Sequence, residues 1–130
     1  MTGKMRVLDV GQCGFDHSAI ADFVHQTLDA IVDRAETAAD LDAHMARQRY
    51  DLILINRILD ADGASGLDII KSIRNKPDCP PVMLISNFPD AQQAAIEAGA
   101  VEGFGKSALY MLRTAEILRA AVDGKSQGGG

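Results

Sequence analysis

Tryptophan is absent from this 130-residue chain, and aromatics make up only 5% of it. The core must therefore be aliphatic, built from Leu, Ile, Val, Ala and Met. Two cysteines, Cys13 and Cys79, form no CxxC pair and exclude a disulfide framework or a zinc cluster. They read as free thiols of a reducing compartment, and the chain is expected to be cytoplasmic. Base is in short supply: 13 Lys and Arg stand against 18 Asp and Glu, a net charge of −5. An acidic chain without a dense Lys/Arg cluster repels phosphate backbones, so direct nucleic-acid binding is not expected. There is no apolar run of bilayer-spanning length, and Met1 to Arg6 carries no signal-peptide core, so no membrane association is expected.

What remains fits one soluble domain. The chain is 47% hydrophobic and 24% charged. A chain of this length buries roughly two thirds of its unfolded surface. Residues 1–123 are expected to form the domain. Residues 124–130, rich in glycine, read as a flexible tail.

Two segments are continuous apolar runs, Asp51 to Asn56 and Pro81 to Asn87. Neither alternates, so each predicts a strand covered on both faces, as in a parallel sheet. Met5–Val10, Ala30–Ala35 and Val101–Gly105 are weaker strand candidates. Helical spacing fills the gaps at Ser18–Leu28, Thr37–Arg49, Ser65–Arg74, Ala91–Ala98 and Ala108–Val122. Strand–helix alternation predicts an α/β fold: a doubly wound, five-stranded parallel sheet with helices on both faces. Chemistry in such sheets sits at the carboxyl ends of the strands. Here that edge comprises Gly11, Gln12, Asn56, Ser86, Asn87 and Lys106.

Four stretches, in order, resemble response-regulator receiver domains, whose topology is flavodoxin-like. Tyr50 to Asn56 resembles the strand that ends in the phosphorylated aspartate, and Gly66 to Arg74 the helix after it. Pro81 to Ser86 resembles the strand ending in a switch serine or threonine. Glu97-Ala98-Gly99-Ala100, followed by Lys106, resembles the approach to the family's lysine. The resemblance implies two-component, phosphorelay signalling with other signalling proteins as partners. In that chemistry an acidic pair holds Mg²⁺, the aspartate attacks a phosphohistidine, and the metal neutralises anion–anion repulsion.

This sequence departs from the pattern at each working part. Asn56 stands at the acceptor position, and a carboxamide oxygen is a poor nucleophile. Gly11 and Gln12 stand where the acidic pair belongs, so Mg²⁺ binding is expected to be weak or absent and no other cofactor is expected. Asp9 is a candidate remnant acid, its orientation left open by strand alternation, and Asp16 in the following loop is a weaker one. Ser86 and Lys106 match. Lys106 has alternative destinations: the Asn56 carboxamide, or solvent or Asp9. Gly103 replaces the aromatic whose rotamer reports phosphorylation in the family, with Phe104 displaced by one. Ser107 replaces the proline that usually follows the lysine.

Other features read more plainly. Asp60-Ala61-Asp62-Gly63 lacks the later ligands of a calcium loop and reads as a turn, with Ser65 capping the next helix. Asp60 or Asp62 as a substitute phosphoacceptor needs a metal site that the sequence does not supply. His17, His25 and His44 read as surface or helix residues. Gly11-Gln12-Cys13-Gly14 reads as a glycine-permitted loop rather than a phosphate cradle, and Cys13 gains reactivity only if a helix starts beside it.

The expectation is a pseudo-receiver: a phosphorylation-independent protein-interaction module, not an enzyme. Its output face would be formed by the last two helices and the strand between them, including Gln92, Gln93, Glu102, Tyr110 and Arg113. That face would also serve a homodimer. The alternative is a regulatory domain that binds an anion or nucleotide in the strand-end pocket.

Overall fold

The apolar run after Asp51 forms strand β3, Leu52–Asn56, and it is buried on both faces as its lack of alternation predicts. The computed structural model describes residues 4–128, with side chains as far as Asp123. The other strands are β1 (Arg6–Val10), β2 (Ile31–Ala35), β4 (Val82–Ile85) and β5 (Val101–Phe104). All pair in parallel in the order β2-β1-β3-β4-β5. The helices are α1 (Gly14–Leu28), α2 (Ala38–Arg47), α3 (Gly66–Ile73), α4 (Pro89–Glu97) and α5 (Leu112–Gly128). The expected doubly wound α/β sheet is the observed one. The expected tail, 124–130, falls on residues whose side chains lie outside the described set.

Successive strand residues serve opposite layers. Val7, Leu52, Leu54, Met83, Ile85 and Phe104 pack against α1 and α5, where Phe23 and Leu118 are buried. Leu8, Val10, Ile53, Ile55 and Leu84 pack on the other side, against Leu41, Ile70 and Ile73. Burial of large aliphatic side chains at roughly 1.5–3 kcal/mol each drives this arrangement.

Helix starts differ from the sequence expectation. α1 begins at Gly14, not Ser18, because the Cys13 thiol caps it by accepting from the Asp16 N–H at 3.5 Å. Asp16 is therefore in the first turn of a helix and not in a loop. Thr37 and Ser65 cap α2 and α3 as expected, each accepting the N–H three residues on. α5 starts at Leu112 rather than Ala108, after a short 3₁₀ turn at Lys106–Ala108. β5 carries a bulge: Met83 pairs with Val101 but Ile85 pairs with Phe104. The extra residue delivers Phe104 into the core, edge-on to Phe23 at 6.4 Å.

Candidate functional site: the strand-end pocket

The carboxyl ends of β1, β3, β4 and β5 bring Gly11, Gln12, Asn56, Ser86 and Lys106 to one edge of the sheet, as expected from topology. Their hydrogen bonds define what the edge can do. Asn56, half-buried at the end of β3, donates its Nδ2–H to the Gly11 carbonyl at 3.1 Å. The same carbonyl accepts the Asp60 N–H at 2.8 Å. Gly11 adopts φ +85°, and a Cβ there would stand 2.5 Å from Leu59 Cγ. Leu59, 1% exposed, thus fills the side-chain space over Gly11. A carboxylate at position 11 has no room while Leu59 is in place. A strained backbone angle adds to that barrier.

The surviving acids are already engaged. Asp9 is fully buried on the α1 side of β1, and its Oδ2 lies 2.7 Å from His17 Nδ1. Burial pushes its carboxyl above the ordinary range, while the His17 ring and the Lys106 charge pull it back part of the way. Asp9 Oδ1 and both polar atoms of the buried Gln12 side chain have no hydrogen-bond partner in the protein. Lys106 goes to none of its expected destinations. Its Nζ sits 2.8 Å from Asp16 Oδ2, joining the end of β5 to the first turn of α1. Residue 16 reaches it because the helix starts early. The lysine holds the Asp16 carboxyl below its ordinary range.

The residues present do not fit a receiver-type Mg²⁺ site. The acidic-pair positions hold Gly11 and Gln12, and Asn56 turns its N–H₂ toward a carbonyl. Asp9 and Asp16 are bound to His17 and Lys106. Among the described residues, no group of three or more His, Cys, Asp or Glu is placed to hold a metal ion. In the following loop, Asp62 Oδ1 accepts the Ala64 N–H at 3.0 Å, the turn expected there.

Ser86 is used locally. Its hydroxyl oxygen accepts the Phe88 N–H at 3.1 Å, at the entrance to α4. Asn56, Arg57, Ser86, Phe88 and Lys106 help line a cavity of about 140 Å³, and the Arg57 guanidinium lies 4.9 Å over the Phe88 ring. The Ser107 N–H and hydroxyl both donate to Asn87 Oδ1, at 3.2 and 2.9 Å. Proline has no N–H for the first of these bonds.

Two residues expected on the output face are also tied into the fold. The Gln92 carboxamide points inward: Nε2 donates to the Leu84 and Ser86 carbonyls, and Oε1 accepts the Gly103 N–H at 3.1 Å. It clamps α4 to β4 and to the bulge in β5. A Cβ on Gly103 would collide with the Leu84 carbonyl oxygen, so position 103 has no room for an aromatic. Tyr110, still 54% exposed, is held against α1. Its ring packs on Phe23 at 5.3 Å and its hydroxyl donates to Asp22 of α1. Gln93, Glu102 and Arg113 do stay on the exposed face, with Arg113 paired to Glu102 at 3.2 Å.

Sequence reasoning missed the Asp9–His17 pair. An aspartate inside an apolar strand with a histidine eight residues on was a usable signal, since a buried acid requires a partner. His25 and His44 are helix residues as expected, bonded to the carbonyls of Ala30 and Asp40.

No family model and no curated protein matches the chain. Solved structures do match it. The signal receiver domain of an HD domain-containing protein from Pseudomonas fluorescens superposes with a TM-score of 0.81 at 17% identity, covering 99% of this chain and 94% of that one. A response regulator from Thermotoga maritima gives 0.76 at 18% identity, over 93% and 99%. A chemotaxis response regulator of Vibrio cholerae gives 0.62 at 19% identity, over 93% and 98%. At these identities the likeness shows the fold, and the fold is receiver-like.

Proposed function

We propose that this chain is a pseudo-receiver: a protein-interaction module of two-component-type signalling that binds partners without phosphorylation and catalyses nothing. One observation carries the reading. The Asn56 amide donates to the Gly11 carbonyl while Leu59 packs over Gly11. The pocket is complementary to an amide and a leucine where a working receiver needs an anionic nucleophile and metal-binding acids.

The proposed docking face is α4, β5 and α5, in the cytoplasm, with another signalling protein or a second copy of the chain as occupant. Exposed apolar side chains support it: Ile96 of α4 is 40% exposed and Leu112, the first residue of α5, is 85% exposed. No helix among the described residues is long and apolar enough to cross a membrane. The anion or nucleotide alternative has little room, because typical ligand pockets enclose about 300–1,000 Å³ and this cavity holds about 140 Å³.

The test is an affinity capture with wild type, Asn56→Asp and Leu112→Glu as baits, with and without a phosphodonor. The expected outcome is a partner set unchanged by the phosphodonor and reduced by Leu112→Glu. Wild-type partners that appear only with the phosphodonor would sink the proposal.

A further inference from the structure

A larger recess lies at the opposite edge of the sheet from Asn56. It is a cleft of about 630 Å³ between the start of β5, the flank of α5 where its core-facing and exposed sides meet, and the C-terminal end of α3. This volume falls within the usual range for ligand sites, about 300–1,000 Å³. Its wall is apolar where Pro81, Val101, Ile117, Ala120 and Ala121 meet.

The charges at its mouth are unequal in their engagement. Arg113 is satisfied by Glu102 at 3.2 Å and by Glu116 at 3.7 Å. Arg74 also lines the cleft, lying across Gly99 with its Nε 2.9 Å from where a Cβ on that glycine would stand. No carboxylate among the described residues pairs with Arg74, although acids outnumber bases 18 to 13 in the chain. An uncommitted guanidinium beside an apolar wall selects one kind of ligand. The wall accepts a short hydrocarbon body, and the planar fork of Arg74 accepts a carboxylate through two parallel N–H bonds.

We propose that this cleft binds a small apolar carboxylate, with its chain against Val101, Ile117 and Ala121 and its head group on Arg74. The site is separate from the strand-end pocket and does not rest on the pseudo-receiver reading.

Hexanoate is the probe, and its uncharged isostere hexanamide is the control. Both are titrated into the ¹⁵N-labelled full chain, followed by amide chemical shifts. Hexanoate is expected to give saturable shifts at the Val101, Ile117 and Ala121 amides. Hexanamide with wild type, and hexanoate with Arg74→Gln, should each bind about tenfold more weakly, because the charged fork contact is lost. Ala120→Phe, an exposed position that crowds the wall and leaves Arg74 intact, should abolish the shifts. Non-saturable shifts overturn the proposal, as does hexanamide binding as tightly as hexanoate. So do saturable shifts confined to the amides of Asn56, Ser86 and Lys106, which would place the ligand in the strand-end pocket.

Discussion

Replacing Asn56 with aspartate puts a carboxylate at the end of β3, and the geometry says it should destabilise the fold. In the wild type Asn56 Nδ2 donates to the Gly11 carbonyl at 3.1 Å. An ionised carboxylate has no donor, so the substitution deletes a hydrogen bond with a net value of about 1 kcal/mol and sets two acceptors face to face. Leaving a partly buried charged acceptor unpaired adds about 1–2 kcal/mol. Residue 56 is only half-buried, and Lys106, tied to Asp16, lines the same cavity, so screening trims that addition. The expected loss at pH 7 is about 1–3 kcal/mol, which moves a urea midpoint by roughly 1 M.

The pH dependence separates this mechanism from simple loss of packing. The new carboxyl's folded pKa is raised above its unfolded value near 3.9. Its stability contribution is then fully present below that unfolded value and is lost as pH rises through the folded one. When protonated, the carboxyl can donate to Gly11 again. Urea unfolding of wild type, Asn56→Asp and Asn56→Ala at pH 7 and pH 4 reads this directly. Asn56→Asp should recover toward wild type at pH 4, while Asn56→Ala should show a constant deficit of about 1 kcal/mol. An Asn56→Asp protein as stable as wild type at pH 7 would show that the Asn56–Gly11 hydrogen bond contributes nothing to stability.

Asp9 should leave its own signature. Because burial raises its folded pKa, it contributes stability that is present below its unfolded value, near 3.8, and is lost as pH rises through the raised folded value. Asp9→Asn should therefore flatten the stability profile above pH 4, as followed by chemical unfolding across pH. A profile with unchanged slope in that window would show that Asp9 does not titrate there. Gly103→Ala should destabilise the fold by about 2 kcal/mol or more, since its Cβ must displace the Leu84 carbonyl or open the β5 bulge. A thermal midpoint within about 1 °C of wild type would show that the bulge yields freely.

Much of the framework was legible from sequence because both of the fold's sheet faces are covered. Leu52 to Ile55 and Val82 to Ile85 read as buried strands for that reason, and parallel order followed from the helices between them. The site was legible as a set of positions but not as a set of bonds. Lys106 and Asp16 lie 90 residues apart, and their meeting depends on α1 starting at Gly14. Cysteine is an uncommon cap and glycine a poor helix former, so no local signal marked that start. The β5 bulge was hidden in the same way. Glu102-Gly103-Phe104 gives no alternation to count, and only pairing with β4 shows which residue is extra. The role of Leu59 was invisible because it sits in a loop, and only the tertiary fold brings it into the core beside Gly11.

A strand-end site built around an amide, as proposed, should not accept phosphate. Intact-mass spectrometry of the wild-type chain after incubation with acetyl phosphate and Mg²⁺ tests it most directly. No phosphoryl adduct is expected under conditions that label a working receiver assayed in parallel. A base-labile adduct mapping to an aspartate of this chain, whether Asp9, Asp16, Asp60 or Asp62, would contradict it.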